Sequence, residues 1–338
     1  MSGRDLKLAI WSFEHLHADS YARCLAGMDG VDLVGVVDED ERRARDAAER
    51  FGMHRFADSG ALWAAKPDGV VVCSANARHR EMVEAAAGHG AAVLCEKPLA
   101  TTLADAEAMI KACAKAGIIL ATAFPCRFNM PTSRARDALS AGRIGKLLAV
   151  AATNRGLMPG GWFSDPKAAG GGAVIDHTAH VADLLRWFTG EEIEEVYAEA
   201  GTLIHEIPTE DCGLLSMRLS GGAFATLDCS WSRPTGFPTW GDVTMRLVGT
   251  EGVMDLDAFC QKIEHVGARP DGSRGLSWES WGDDMSALML RDFVDAIRRK
   301  RPPLSTGEDG YASLAVTVAA YESIRTGAPA PVEKLCSP

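Results

Sequence analysis

Several features that mark particular protein classes are missing from this chain of 338 residues. No apolar run is long enough to span a bilayer, and the N-terminal stretch MSGRDLKLAIW lacks the apolar core of a signal peptide. The net charge of −11 argues against a nucleic-acid partner, because contacts to phosphate backbones need clustered lysine and arginine. We therefore expect a partner that is neither a nucleic acid nor a membrane.

Paired cysteines are also missing. The nine cysteines are scattered singly, and no C-x-x-C pair occurs, so neither a zinc ribbon nor a redox dithiol is expected. Cys73 in GVVVCS and Cys95 in AAVLCE lie in apolar runs, where a thiol behaves as a small buried hydrophobe. This usage is typical of a reducing compartment, and we expect a cytoplasmic protein.

The first part of the chain alternates two kinds of segment. Residues 6–123 contain five short apolar runs, from LKLAIW to IILATAF, separated by amphipathic segments of helical length. Such alternation predicts right-handed crossovers and a parallel sheet covered on both faces. Thr102 is placed to cap the last of these helices and Gly117 to end it. We predict that residues 1–123 form a dinucleotide-binding, Rossmann-like domain with a doubly wound parallel sheet.

After residue 123 the pattern becomes that of an α+β domain. A helix is predicted over roughly Ala173–Phe188, and the segments that follow alternate apolar and polar residues, as strands with one buried face do. A Gly-Gly pair fits a hairpin turn between two of them, and helices are predicted near 283–300 and 311–326. We predict that residues 124–338 form a substrate-binding and oligomerisation domain with a large, mainly antiparallel open sheet. Its uncovered face is expected to join a homodimer or homotetramer.

An acid stands at the end of the second predicted strand. In a doubly wound sheet, ligands bind at the carboxyl ends of the strands, and an acid at this position holds the ribose hydroxyls of a dinucleotide. Asp38 ends VDLVGVVD and fits this role. Because a carboxylate repels a 2′-phosphate, NAD is favoured over NADP. In the alternative interpretation, Asp38 caps the following helix.

The first crossover departs from the glycine pattern that usually holds a pyrophosphate. Ser12, Glu14 and His17 occupy the positions that hold glycine in G-x-G-x-x-G. In one interpretation the backbone still turns, with Glu14 pointing outward and Ser12 or His15 contacting phosphate; in the other, the cofactor site is degraded. The pair His15-x-His17 is not expected to bind a metal, because no cysteine or acid cluster accompanies it at ligand spacing.

Three motifs, taken together, resemble those of one enzyme family. They are CEKPL at residues 95–99, SANARH at residues 74–79, with Ala75 where the family has proline, and GGGAVIDHTAH at residues 170–180. On these motifs the chain is similar to the Gfo/Idh/MocA family of oxidoreductases, which includes glucose–fructose oxidoreductase and inositol dehydrogenase. The resemblance extends over nearly the whole chain, and the missing glycines are the clear departure from it.

The resemblance implies an NAD-dependent oxidoreductase whose nicotinamide lies over the strand end that carries Lys97. It also implies a cis bond between Lys97 and Pro98 and a role for Glu96 in holding this loop. Together with the first two strand ends, the expected cofactor-binding residues are Ser12, Phe13, His15, Asp38, Ser74, Asn76, His79, Glu96 and Lys97.

Oxidation of a carbinol requires loss of a hydride, which a nicotinamide accepts, and loss of a proton, which the protein must accept. Asp176 and His180 lie four residues apart on the predicted helix and share a face. We assign His180 as general base in oxidation and acid in reduction, with Asp176 orienting substrate or His180. Lys97 is assigned to polarise the substrate oxygen; the reverse assignment makes Lys97 the proton donor. No metal is expected at His177 and His180, because H-x-x-H lacks a third distant ligand here.

Six of the eight tryptophans lie after residue 123, which suits a carbohydrate because sugar rings stack on aromatic faces. They are Trp162, Trp187, Trp231, Trp240, Trp278 and Trp281. Packing in the sheet or in a subunit interface is the alternative for most of them, and we expect it for Trp187. The expected substrate-binding residues are Arg127, Arg155, Trp162 and His177, although His177 fits a sheet edge equally well. Convergence of Arg127 and Arg155 with Arg233 would indicate an acidic sugar.

Three functions are compatible with these features. The leading hypothesis is an NAD-dependent oxidoreductase acting on a hydroxyl or carbonyl of a sugar, a sugar derivative or a cyclitol. The second is an NAD-dependent glycosidase that works by transient oxidation and elimination. The third is a non-catalytic ligand-binding or sensor protein with a degraded cofactor loop; the missing glycines favour it, and the presence of Lys97, Asp176 and His180 opposes it.

Overall fold

The computed structural model describes residues 4–268 and 272–335. The chain forms two compact units, one of Met1–Pro125 with Met285–Tyr311 and the other of Cys126–Asp284 with Ala312–Pro338. Cys336 lies outside the described residues. Among those residues, no helix has the length and apolar character needed to cross a membrane.

The first unit is built on a five-stranded parallel sheet, as the sequence predicted. Its strands are β1 (Leu6–Trp11), β2 (Val31–Val37), β3 (Gly69–Val72), β4 (Ala92–Cys95) and β5 (Leu120–Thr122). Their order is β2-β1-β3-β4-β5, and every neighbouring pair is parallel. A parallel bridge between Val36 and Arg55 extends the sheet outside β2. The strand order reverses between β1 and β3, which is where doubly wound sheets bind ligands.

Helices connect these strands. They are α1 (Ala18–Ala26), α2 (Glu41–Phe51), α3 (Ser59–Ala64), α4 (His79–Gly88) and α5 (Leu103–Ala116). The hydroxyl of Thr102 accepts a hydrogen bond from the Asp105 amide and so caps α5. Gly117 ends the same helix in the left-handed conformation, with φ of 66°. Both signals were predicted from the sequence.

The second unit contains a seven-stranded, mainly antiparallel sheet. Its strands are β6 (Leu147–Thr153), β7 (Ile193–Gly201), β8 (Cys212–Leu219), β9 (Phe224–Asp228), β10 (Thr244–Gly249), β11 (Val253–Asp257) and the short β14 (Ala330–Pro331). The order is β11-β10-β6-β9-β8-β7-β14, and only the pair β6–β9 is parallel. Gly222, with φ of 90°, lies in the predicted hairpin turn between β8 and β9. The strands β12 (Lys262–Ala268) and β13 (Arg274–Ser280) form a separate two-stranded ribbon.

Three helices accompany this sheet before the ribbon. They are α6 (Met130–Ser140), α7 (Pro166–Ala169) and α8 (Ala173–Thr189). Along α8, every residue from Ala173 to Leu185 is buried. Its apolar side chains pack with the inward residues of β7, β8 and β9 in one hydrophobic core. This helix therefore carries its polar residues inside the protein, where each must be matched by another polar group.

Residues 285–311 pack with the first unit, whereas from the sequence we had placed everything after residue 123 in the second. The segment contains α9 (Met285–Arg299), and it leads into α10 (Gly307–Thr326). One face of α9, including Leu290 and Phe293, is buried. The guanidinium of Arg298 donates a 2.6 Å hydrogen bond to the carbonyl oxygen of Gly30. The amphipathic pattern of α9 predicted the helix, but it does not specify which apolar surface the helix covers.

Candidate active-site residues

The turn after β1 keeps the backbone conformation of a glycine loop although it contains no glycine. Ser12 has φ of 74°, a left-handed conformation that glycine adopts most easily. Its amide donates a 2.8 Å hydrogen bond to the carbonyl oxygen of Val37, at the end of β2. The backbone therefore turns as the first of the two sequence interpretations required.

Asp38 organises this turn. Its carboxylate accepts hydrogen bonds from the Phe13 amide at 2.7 Å and from the Ser12 hydroxyl at 3.2 Å. Arg43, in the first turn of α2, donates to both carboxylate oxygens, at 2.6 and 2.8 Å. The cap of α2 is Asp40, whose side chain accepts from two helix amides, so Asp38 is not the capping residue. The carboxylate lies where a ribose-binding acid is expected, and Arg43 already bonds to it.

The first interpretation is wrong about Glu14, which does not point outward. Its carboxylate accepts a 2.9 Å hydrogen bond from the Ala75 amide, in the loop after β3. The amide of Glu14 donates to the Ser12 hydroxyl at 3.1 Å, and the amide of His15 donates to the carbonyl oxygen of Cys73 at 2.9 Å. Amides of this turn are the usual donors to a pyrophosphate. Several of them are bonded within the protein here, which explains how the turn is stable without its glycines.

Glu96, at the end of β4, lies against two histidines of the same turn. Its Oε1 is 3.0 Å from Nδ1 of His17 and 3.8 Å from Nδ1 of His15. The same oxygen accepts a 2.6 Å hydrogen bond from the hydroxyl of Tyr21. Burial alone would raise the pKa of Glu96, but the neighbouring His15, His17 and Lys97 hold it well below its usual range. Glu96 is thus a buried anion that joins the turn to the strand end, in agreement with its expected role in holding the loop.

Lys97 follows Glu96 and is 4% exposed, and the Lys97–Pro98 peptide bond is cis, as the resemblance implied. His79 holds the neighbouring loops together. Its ring nitrogens lie 3.1 Å from the carbonyl oxygen of Pro98 and 3.2 Å from that of Ser74. Burial lowers the pKa of His79, although the carbonyl oxygens of Ser74, Leu99 and Pro98 act in the opposite direction. His79 is completely buried, so we expect it to act on a cofactor through the loops it joins. Asn76 is also buried in this loop.

The glycine-rich approach to α8 is required by close packing. A Cβ atom on Gly171 would collide with the hydroxyl of Tyr321, and one on Gly172 would collide with the carbonyl oxygen of Glu210. The carboxylate of Glu210 accepts hydrogen bonds from the amides of Gly172 and Val174, at 2.8 and 3.1 Å. These bonds satisfy the free amides at the start of the helix. The motif GGGAVIDHTAH therefore fixes the position of the first turns of α8 within this unit.

Asp176 lies against His177, the next residue along α8. Its Oδ2 lies 3.3 Å from Nε2 of His177 and accepts a 3.1 Å hydrogen bond from the indole nitrogen of Trp231. Trp231 is completely buried. The ring of Trp240 lies 6.1 Å from that of His177 and 6.5 Å from that of His180, centroid to centroid. The sequence pattern did not predict that Trp231 and Trp240 lie beside α8, because periodicity reports only on neighbours along the chain.

The three arginines do not all converge. Arg127 is 3% exposed, and its Nε donates at 2.8 Å to Asp183, which is also buried, on α8. A buried guanidinium requires such a partner, so the pair with Asp183 is a structural role of Arg127 in the second unit, and its substrate-binding role stays a prediction. Arg155 and Arg233 do converge, but on Asp242, which Arg155 reaches at 2.8 Å. Asp228, 4.0 Å from Arg155, is a second acid beside this pair, so Asp242 and Asp228 together compensate the two cations and the cluster gives no support for an acidic sugar.

Trp162 and Trp187 differ in their surroundings. Trp162 stacks on Phe163 with a centroid distance of 4.0 Å, and both contact the small cluster that contains Trp231. Trp187 packs on the main core, with the guanidinium of Arg136 over its ring at 4.5 Å. The packing role expected for Trp187 is therefore observed, while Trp162 packs against the cluster that contains Trp231, whose indole bonds to Asp176.

Comparisons with known proteins agree with this architecture. A family model described as an oxidoreductase family with an NAD-binding Rossmann fold matches residues 15–124. A second model, the GFO/IDH/MocA C-terminal domain, matches residues 132–255. The chain is 30% identical over 315 residues to the myo-inositol 2-dehydrogenase of Thermotoga maritima. This match covers 90% of this chain and 92% of that enzyme.

Further relatives extend the match. The chain is 32% identical over 314 residues to the 1,5-anhydro-D-fructose reductase of Ensifer adhaerens, covering 90% of this chain and 92% of the relative. Among solved structures, that of GenD2 from gentamicin A biosynthesis, in complex with NAD, is similar with a TM-score of 0.89 and 26% identity over 98% of each chain. The chain therefore belongs to the GFO/IDH/MocA family and is an NAD-binding oxidoreductase.

Proposed function

We propose that this oxidoreductase transfers hydride between the nicotinamide of NAD and a hydroxyl-bearing carbon, or its carbonyl form, in a sugar, a sugar derivative or a cyclitol. The observation that carries the proposal is the group of Asp176, His177 and His180 on α8, held by the indole N–H of Trp231 and beside the partly exposed ring of Trp240. Acid–base groups next to flat aromatic surfaces suit a hydroxylated ring. The relatives named as inositol dehydrogenases and as an anhydrofructose reductase support the same substrate class.

The residues at the carboxyl edge of the parallel sheet fit a dinucleotide. Ser12 retains the positive φ of the turn, and the carboxylate of Asp38 is directed at that turn. When bound, NAD supplies the hydride acceptor or donor. A ribose that bonds to Asp38 has to share the carboxylate with Arg43, whose side chain is 32% exposed and so has room to move.

The chain's own groups supply the proton chemistry. His180 accepts the hydroxyl proton in oxidation and returns it in reduction, while the cation of Lys97 stabilises the developing alkoxide. The indole N–H of Trp231 holds the carboxylate of Asp176, which in turn orients the imidazole of His177 towards substrate. The alternative, with Lys97 as proton donor, predicts that a Lys97→Arg variant loses turnover although it keeps the charge.

A panel of polyols, aldoses and inositols with NAD and NADP, followed by absorbance at the nicotinamide band, tests the proposal. We expect NADH formation with at least one member of the panel and a preference for NAD. Release of aglycone from a glycoside without net NADH accumulation would identify the glycosidase instead. Failure of NAD(H) and NADP(H) to bind in titration calorimetry would contradict every catalytic version of the proposal.

We also propose a homodimer or homotetramer joined through the open face of the seven-stranded sheet. On this face Leu214, Phe224 and Tyr197 are exposed by 63, 57 and 37%, whereas the residues that alternate with them are buried. A second copy is the natural cover for apolar side chains on a sheet face. Light scattering should give two or four times 36.0 kDa, and Leu214→Glu should shift the protein to monomer. A monomeric wild-type protein would contradict this.

A cytoplasmic location is proposed on the cysteine pattern of the sequence. Buried single thiols such as Cys73 and Cys95 suit a reducing compartment, because oxidation would place polar groups in the core.

A further inference from the structure

Three side chains with metal-binding atoms meet beside the turn after β1. Atoms of His15, His17 and Glu96 lie within 4.8 Å of one another. The separations from Oε1 of Glu96 are 3.0 Å to Nδ1 of His17 and 3.8 Å to Nδ1 of His15. Two ligands of a tetrahedral zinc ion, with bonds of about 2.0–2.1 Å, lie about 3.3 Å apart. The two observed separations lie on either side of this value.

The third ligand comes from a distant segment. From the sequence we expected no metal at His15-x-His17 because no acid accompanies it at ligand spacing. The carboxylate instead comes from Glu96, at the end of β4, which reaches the same edge of the parallel sheet. Two histidines and one glutamate are the protein ligands of a class of zinc sites that keep the fourth position open. His17 is 33% exposed, so the cluster lies within reach of solvent on the side of this residue.

The surroundings of Glu96 match those of a metal-binding carboxylate. Tyr21 donates to Oε1 at 2.6 Å, and the amide of Lys97 donates to Oε2 at 3.1 Å. Such outer bonds orient a ligand and tune its affinity. His15 Nδ1 accepts a 3.2 Å hydrogen bond from the amide of His17, and an ion bound at this nitrogen would replace that long bond. With both histidines neutral as ligands, the ion would take the place of their positive charge beside this buried carboxylate.

We propose that His15, His17 and Glu96 bind one Zn²⁺ ion, whose open position takes a phosphate oxygen of the dinucleotide. The second part rests on the proposed function, whereas the first does not. A glycine-rich turn binds phosphate through its free amides. Here the positive charge of the ion would take over that task. It also accounts for the use of the turn's amides within the protein, since they are then not needed for phosphate.

Metal content of the full-length protein tests the site itself. After incubation with Zn²⁺ and removal of the excess, elemental analysis should give one zinc per chain, and Co²⁺ substitution should give the visible absorption of a tetrahedral site. His17→Ala should lower zinc affinity by more than about 100-fold, since loss of an outer partner alone costs about 10–100-fold. Tyr21→Phe should fall in that smaller range, and His17→Cys, which keeps a zinc donor, should retain the metal.

His54→Ala is the matched control, because His54 is an exposed histidine of the same unit, packed on Phe56. It should leave zinc content unchanged. Absence of stoichiometric zinc, or zinc that His17→Ala and Glu96→Gln both leave in place, would overturn the site. Thermal melts of the apo variants show whether Glu96→Gln has simply unfolded; His17→Ala, at a partly exposed position, guards against that outcome.

NADH fluorescence titration tests the role of the ion. The dissociation constant should rise at least tenfold when zinc is removed from the wild-type protein, and it should not respond to zinc in His17→Ala. Zinc binding with unchanged NADH affinity would overturn the phosphate contact. Failure of NADH to bind in either state would contradict the proposed function and leave the zinc site standing, so the two failures are distinguishable.

Discussion

The turn after β1 and the first turns of α8 both carry candidate functional groups, but they position them differently. At the turn, Ser12 bonds to Asp38 and His17 lies against Glu96, so each group is matched by one from a distant segment. On α8 the groups come from a single helix, and helical spacing already places them together. A helical motif therefore reveals its site in the sequence. A turn can lose its glycine motif and retain its shape, because long-range bonds replace it.

The largest expected effect distinguishes the reacting helix from its surroundings. His180→Ala should lower kcat/KM at least about 100-fold, because loss of an acid–base group typically costs about 10²–10⁴ in rate. The control is His265→Ala, at an exposed position on β12. Steady-state kinetics on the best substrate of the panel measures both. Wild-type turnover in His180→Ala would show that His180 on α8 is not the acid–base group.

The second effect concerns Asp183, a residue of α8 that we expect to stabilise the fold and not to react. Arg127→Ala should lower the free energy of unfolding by about 3–5 kcal/mol, because it leaves the Asp183 carboxylate buried without the guanidinium. Arg246→Ala breaks an exposed pair with Asp255 and should cost less than about 1 kcal/mol. Urea unfolding followed by circular dichroism measures the difference. If the two variants lost the same free energy of unfolding, the buried Arg127–Asp183 pair would contribute no more to stability than the exposed Arg246–Asp255 pair.

The third effect concerns the turn. Asp38→Ser should weaken NADH binding by about 10–100-fold, because bonds to a charged group contribute about 1.5–3 kcal/mol. The same change removes the partner of Arg43, so NADPH binding should strengthen. Asp40→Ser is the control, since serine also caps a helix and Asp40 makes the helix-capping contacts. Fluorescence titration with both nucleotides gives the ratio, and an unchanged preference would argue against Asp38 as the ribose acid.

The smallest effect tests whether α8 also depends on a long-range bond. Trp231→Phe should keep the packing and lose the 3.1 Å hydrogen bond to Asp176. We expect kcat to fall about tenfold with KM nearly unchanged, in line with about 1.5 kcal/mol for a bond to a charged group. Trp187→Phe, on α8 itself and packed on the main core, is the matched control. A similar kcat for the two variants would mean that Trp231 only fills space.

Most of the first unit was predictable from local pattern. Its five strands and the cap and stop of α5 follow from apolar runs, Thr102 and Gly117, all of which act between near neighbours in the chain. In the second unit β6 was not predicted. Its sequence LLAVAAT has little alternation and three alanines, which have low strand preference. The partner strand β13 was missed as well, since its pairing with β12 is defined by register and not by composition.

The sequence by itself determined the α/β class, the paired motifs at Lys97 and on α8, and an acid at the end of β2. Only the tertiary structure decided that Glu96 meets His17, 79 residues away, and that Asp176 bonds to Trp231, 55 residues away. Helices and strands follow from periodicity over a few residues, which any window of the chain contains. Contacts between strand ends and loops depend instead on how the whole sheet is ordered, and no local window records that order.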